Sequence, residues 1–237
     1  MDEGADYIVV DKPPLLLAHP TKPGGPRTLW GELRHLLAYE IANGGQVSIV
    51  NRLDRETSGL VLIAKSADAA RRFGCAMQQG QIAKEYLALV QGWPVWERQV
   101  VNAPLARQGR FRPSRIWLKQ AIHPEGSPAT TELDVENRFT RGERRFALVR
   151  AVPRTGRTHQ IRVHLSSLGH PIVGDKIYGP DEMNYLRFVE TGWSEELARE
   201  LLLPRQALHS ARITLPDGRS WASALPADLA DFCRAIC

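Results

Sequence analysis

Asp54 stands between Arg52 and Arg55, with Glu56 beside it and a Thr57-Ser58-Gly59 turn signal just beyond. A carboxylate within reach of a guanidinium is biased towards its ionised form, the form that serves as nucleophile or base. The same residue types also suit a plainer role, because Asp is a standard turn residue and pairs readily with Arg. Well downstream, Arg154, Arg157, His159 and Arg162 crowd into the run PRTGRTHQIR. His159 and His164 are five residues apart, off any common helical face, and no Cys or acidic cluster accompanies them, so the spacing argues against a metal site.

The basic residues are unevenly placed. Net charge is +5, yet residues 98 to 164 hold 14 Lys and Arg against 5 Asp and Glu, while the remainder holds 17 against 21. Such an excess is the usual footprint of a polyanion site, and also what a solvated Arg-rich face looks like. Within it, Arg107, Arg110, Arg112 and Arg115 alternate with Phe111 and Trp117 and are punctuated by Pro104, Gly109 and Pro113. An irregular hairpin of this kind suits RNA, since guanidinium groups meet phosphate while rings stack on exposed bases. Ile116 to Leu118 could equally be a simple strand.

The elements that must position these groups follow from periodicity. Apolar runs at Ile49-Val50 and Leu60 to Ala64 predict strand, tight loop, strand around Asp54. Thr28 to Ala42 predicts a helix capped by Thr28, with Leu29, Leu33, Leu36, Leu37 and Ile41 at helical spacing and Asn43-Gly44-Gly45 as its stop. Ser66 predicts the cap of a helix over Ala67 to Gln79. Strands are expected at Tyr7 to Asp11, ended by Lys12-Pro13-Pro14, and at Lys84 to Val90, with a loop over His19 to Pro26 between helix and first strand. Thr130 to Phe139 and Arg145 to Val152 predict an antiparallel pair, and Thr158 to Leu168 a helix stopped by Gly169. Met183 to Leu203 reads as helical, Leu208 to Leu215 with Arg219 to Ala224 as a hairpin, and Pro226 as the start of a last helix. The sum is an α+β protein with a mixed, mostly antiparallel central sheet flanked by helices and loops. A doubly wound nucleotide-binding fold is out, for want of a glycine-rich phosphate loop.

Read together, several stretches resemble the RluA-type pseudouridine synthases. They are Asn51-Arg52-Leu53-Asp54 with its Thr-Ser-Gly and apolar strand, Lys84-Glu85-Tyr86-Leu87-Ala88-Leu89-Val90-Gln91-Gly92, residues 155 to 179, Leu208-His209-Ser210-Ala211, and Tyr7 to Pro14. The likeness covers nearly the whole chain. It implies the pseudouridine synthase fold, with an active-site cleft across the sheet, and one catalytic domain over residues 1 to 237 without an accessory RNA-binding module ahead of it. It implies isomerisation of specific uridines in ribosomal or transfer RNA, without cofactor or metal; a monomer is the default expectation. Asp54 becomes the essential carboxylate, attacking the ribose or taking a proton there. Arg162 becomes its partner, and Tyr86 a ring for the extracted uracil whose hydroxyl could help remove the C5 proton. Arg52 would fill the gap left by the flipped nucleotide. Arg55, Arg107, Arg110, Arg112, Arg115, Arg154, Arg157 and His159 would contact RNA. Asn51 departs from the family pattern, in which His is usual at that position.

Two other classes compete. An inactive RNA-binding module would keep the basic stretch and lose the Asp, Tyr and Arg set, all of which are present. A hydrolase built on Asp54 with His159 or His164 would need an oriented water or a nucleophile with a third residue behind it, and no spacing supplies one. Hydrophobic content of 43% and charged content of 24% fit a globular chain. No apolar run is of membrane-crossing length and the first residues are acidic, so a cytoplasmic protein is expected, with Cys75, Cys233 and Cys237 reduced.

Overall fold

The computed structural model describes residues 2–20 and 24–234. Thr21 to Pro23 of the expected loop and Cys237 lie outside the described residues. The chain divides into two compact units, Met1–Lys84 with His209–Ala224, and Glu85–Leu208 with Leu225–Cys237. Strands are mostly antiparallel and mixed with helices, as the α+β reading expects.

In the first unit, β1 (Asp2–Glu3), β2 (Tyr7–Lys12), β3 (Ser48–Ile49) and β4 (Ser58–Ala64) precede helix α3 (Ala67–Gln78), and helices α1 (Leu29–Leu36) and α2 (Ala38–Ala42) lie between β2 and β3. β2 runs antiparallel to β4 from Tyr7 opposite Ala64 to Lys12 opposite Gly59. β4 is apolar from Leu60 to Ala64 and buried at every position, as expected of a strand covered on both faces. The cap expected at Ser66 is present: its hydroxyl accepts from Ala69 N at 3.2 Å. Thr28 caps α1 in the same way, from Gly31 N at 3.1 Å. The helix predicted over Thr28 to Ala42, however, breaks at Leu37. The buried stripe is Leu29, Leu33 and Leu37, whereas Leu36, assigned to the same stripe by spacing, is 66% exposed. Tyr7, Val9, Leu60, Leu62, Phe73, Ile82 and Ile213 form the core between sheet and α3.

In the second unit, β5 (Ala83–Gln91) brings the chain across from the first. Then follow β6 (Arg98–Asn102), β7 (Leu105–Arg107), β8 (Gln120–Ile122), β9 (Thr130–Arg141), β10 (Arg144–Pro153), and helices α4 (Gln160–Ser167), α5 (Met183–Thr191) and α6 (Glu195–Leu201). Its sheet has the order β5-β10-β9-β6, and β7 and β8 pair separately, Leu105 opposite Ile122. The alternative of a simple strand at Ile116 to Leu118 does not form: Ile116 is buried, while Trp117 and Leu118 lie in a turn and point outwards. The helix predicted over Met183 to Leu203 is interrupted at Gly192, whose φ of 74° no helix accommodates. β11 (Leu208–Thr214) and β12 (Ser220–Ala222) form the expected hairpin in the first unit, and α7 (Ala227–Cys233) follows Pro226. Arg205 Nε and Nη2 donate to the Asp228 carboxylate at 2.7 and 2.9 Å, and Phe232 packs edge-on against Phe146 at 5.1 Å. No helix among the described residues is long and apolar enough to cross a membrane.

Candidate active site

Asp54 sits in the connection of an antiparallel hairpin, with Ser48 opposite Ala64 and Ile49 opposite Ile63. The ladder runs on through Val50 N to Leu62 O at 2.9 Å, and then a side chain takes over. The buried Asn51 accepts from Leu62 N through Oδ1 at 2.7 Å and donates from Nδ2 to Leu60 O at 3.1 Å. A carboxamide has the donor and acceptor to imitate a peptide unit, so Asn51 braces the root of the Asp54 loop.

Past Asp54 the chain turns at Arg55-Glu56, and Thr57 N donates to Asp54 O at 3.2 Å. Ser58 and Gly59, expected in the turn, already belong to β4. Gly59 has a φ of 109°, and a Cβ there would come within 2.3 Å of Ser210 O. Only glycine allows β11 this close, and two further bonds hold it: Ser58 Oγ with His209 Nδ1 at 3.0 Å, and Ser210 Oγ to Leu60 O at 3.1 Å. Under the loop, Lys12 is fully buried and its ammonium donates to Pro13 O, Leu16 O and Arg55 O at 2.8, 3.0 and 3.3 Å. Asp54 is left half-buried at the tip, with Arg52 and Arg55 exposed on either side and Leu53 anchored in the interior.

The second unit carries Tyr86 and Arg162. Tyr86 is buried on β5, opposite Ala151 of β10. Arg162 lies on α4, which begins two residues later than periodicity suggests because His159 is left-handed, with φ 57°. A non-glycine residue holds that conformation when its surroundings fix it. His159 Nδ1 is bonded to the Tyr178 hydroxyl at 2.8 Å, and the same hydroxyl accepts from Gln120 N at 2.8 Å. Gln160 locks the approach: its Oε1 accepts from Thr155 Oγ1 at 2.6 Å and Arg157 N at 3.0 Å, and its Nε2 donates to Thr130 O and Thr131 Oγ1, both at 2.9 Å.

The Arg162 guanidinium is 5% exposed and bonded to a carboxylate that the sequence reading did not single out. Nε reaches Asp175 Oδ2 at 2.7 Å and Nη2 reaches Oδ1 at 2.9 Å, and Oδ1 also accepts from Ile177 N and Tyr178 N. Burial alone would push the Asp175 carboxyl up, but the guanidinium and the two N–H groups together hold it below its ordinary value. The signal was present in Gly174-Asp175-Lys176-Ile177-Tyr178-Gly179, a glycine-bounded acidic turn inside the quoted stretch. His164 is a core residue, with Nδ1 on Thr131 Oγ1 at 2.8 Å and Nε2 on Ala103 O at 3.0 Å, and burial lowers its pKa.

The basic residues separate into two groups. Several on or beside β6, β9 and β10 are paired with carboxylates: Arg154 grips Glu132 through bonds of 2.7 and 2.8 Å, Arg98 and Arg150 hold Asp134, and Arg138 holds Glu97. Arg157 is exposed and donates to Pro128 O at 3.0 Å. On the β7–β8 hairpin, by contrast, Arg107, Arg110, Arg112 and Arg115 have no carboxylate partner among the described residues. Arg107 lies over the Trp117 ring at 3.7 Å, Arg110 over Phe111 at 5.7 Å, and Phe111 stacks on His123 at 3.4 Å. Trp117 is 72% exposed, an aromatic face held ready by a cation.

The sequence profile of the RNA pseudouridylate synthase family matches residues 6–167. The chain is 35% identical over 242 residues to ribosomal large subunit pseudouridine synthase D of Nitrosomonas europaea, covering 99% of this chain and 64% of the relative. It is 40% identical to an uncharacterized RNA pseudouridine synthase of Chloroflexus aurantiacus, covering 92% and 63%. The chain thus spans less than two thirds of the length of these two relatives. Among solved structures, human RNA pseudouridylate synthase domain containing 1 aligns over 96% of this chain and 84% of its own, with a TM-score of 0.70 at 25% identity. The profile match, the relatives and the fold agree with the resemblance carried by the sequence motifs: this chain belongs to the RNA pseudouridylate synthase family, in its RluA-type branch.

Proposed function

We propose that this protein is an RNA pseudouridine synthase that isomerises specific uridines, with Asp54 as its catalytic carboxylate. The observation that carries the reading is the bracing of the Asp54 loop: Asn51 ties it from one side, the Lys12 ammonium from below, and Gly59 seats it against β11. A carboxylate held at a rigid tip between two exposed arginines suits a reaction that must be aligned on one ribose.

In the reaction the N1–C1′ bond of uridine breaks, the base turns, C5 bonds to C1′, and the C5 proton is lost while N1 gains one. No outside reactant enters. Asp54 attacks the ribose or takes a proton there, Arg162 supplies its positive partner, and Tyr86 stacks on the uracil with its hydroxyl serving the C5 proton. Arg52 fills the gap left by the flipped nucleotide. The hairpin arginines Arg107, Arg110, Arg112 and Arg115 take phosphates, and Arg55, Arg154, Arg157 and His159 extend that contact. Relatives named for the ribosomal large subunit favour large-subunit ribosomal RNA over transfer RNA as the substrate. The reading is of a monomer working in the cytoplasm as a single catalytic domain. The test is to delete the gene, map pseudouridines across total RNA, and complement with wild type or Asp54→Asn. Sites lost on deletion and restored only by wild type support the reading; an unchanged map in a host lacking a related enzyme removes it.

A further inference from the structure

Four lysines are buried in this protein: Lys12, Lys65, Lys84 and Lys176. Three are provided for. Lys12 donates to three backbone carbonyls, Lys65 pairs with Glu3 and Glu40, and Lys176 donates to Pro204 O at 2.7 Å beside the Phe188 and Trp193 rings. Lys84 is 8% exposed and has neither a hydrogen bond nor a carboxylate among the described residues. Its sequence neighbour Glu85 leaves the strand on the opposite face, 3.7 Å from Arg150. Burial alone lowers the Lys84 pKa, with no charge opposing it. An unpaired ammonium in such surroundings costs stability, and folding alone gives no reason to keep it there.

The ammonium is nevertheless not sealed in. The unbonded side-chain nitrogens fully closed off from solvent, among the described residues, are those of Gln91 and Asn184, so Lys84 Nζ keeps an opening. Lys84 is also two residues before Tyr86 on β5, and the burial pattern of that strand alternates so that both point to its covered face. Residues at that spacing lie about 6.6 Å apart along a strand, a separation comparable with that between a base and its own phosphate.

We propose that Lys84 is a phosphate-binding residue, its ammonium taking a non-bridging oxygen of the RNA backbone beside the nucleotide stacked on Tyr86. The proposal rests on the RNA reading above and adds a contact outside the Arg-rich hairpin. A compact ammonium suits a single phosphate oxygen, and a desolvated one strengthens the contact.

The experiment compares wild type, Lys84→Met and Lys84→Arg on a transcript of the host's large-subunit ribosomal RNA. Binding is measured from low to high salt, thermal melting at pH 7, and pseudouridine yield by mass spectrometry. Loss of one phosphate contact lowers the slope of log affinity against log salt by about 0.7 to 0.9. The Met variant is expected to show that loss and to melt no lower than wild type, while Arg keeps the wild-type slope. An unchanged slope for Met overturns the proposal, as does a Met variant that melts lower, which would make the charge structural. If wild type itself neither binds the transcript nor forms pseudouridine, the RNA reading fails and the proposal with it. Wild type that forms pseudouridine beside a Met variant of unchanged slope sinks the Lys84 contact alone.

Discussion

Arg162 and Asp175 meet through two parallel hydrogen bonds of 2.7 and 2.9 Å, with the carboxylate fully buried and the guanidinium nearly so. Asp175 belongs to the turn after α4, and its backbone contacts to Ile177 and Tyr178 fix where it stands. The guanidinium plane is therefore set by the fold before any substrate arrives. Removing one partner of such a pair strands a buried charge, which typically costs about 3–5 kcal/mol. Asp175→Asn is expected to lose stability on that scale in urea unfolding, and the double variant Arg162→Met with Asp175→Leu to regain much of it.

The same pair sets an acid limb. The native Asp175 carboxyl titrates below its ordinary value of 3.8, so between the two values the unfolded chain binds more protons than the native one. Its contribution is complete above the unfolded value and is lost as pH falls through the native one. Melting temperature measured from pH 6 down to pH 3 should therefore fall less steeply for Asp175→Asn than for wild type.

Asn51 makes two bonds to the backbone of β4 from a buried position. Asn51→Ala leaves Leu62 N without its acceptor, a loss of about 1–3 kcal/mol, while Leu60 O keeps the Ser210 hydroxyl. Chemical denaturation should record it, and the turnover of the folded fraction should drop because the Asp54 loop is no longer held at its root.

Trp117 contributes nothing to the core, so Trp117→Ala is expected to keep the wild-type melting temperature within the small range usual for surface changes. Its loss from RNA binding should be about 1–3 kcal/mol if a base stacks there, measured by titration with the transcript at fixed salt. Equal affinities would remove the stacking role.

Much of this was legible in the sequence where local rules act alone. Thr28 and Ser66 cap helices as their types dictate, the apolar run at Leu60 to Ala64 marks most of β4, and the antiparallel pair expected over Thr130 to Phe139 and Arg145 to Val152 forms as β9 and β10. Legibility failed where a contact distant in sequence decides. Leu36 has the spacing of a core residue, yet the stripe chosen by packing runs through Leu37. Ser58 and Gly59 have turn chemistry, yet pairing with His209 and Ser210 draws them into a strand. His159 gives no local sign of a left-handed backbone, which Tyr178 from the following turn stabilises. At the candidate site, Asp54, Tyr86 and Arg162 came from motif likeness, whereas Asp175 and Lys12 emerged only from their bonding, because a buried charge is recognised by its partners and not by its neighbours in the chain.

The central claim is that Asp54 performs chemistry and is not merely a turn residue. Purified wild type and Asp54→Asn, incubated with the same ribosomal RNA transcript, would be compared by mass spectrometric quantification of pseudouridine alongside binding. The account predicts pseudouridine with wild type, none with Asp54→Asn, and RNA affinity alike for both. Pseudouridine formed by Asp54→Asn at a rate near that of wild type would contradict it.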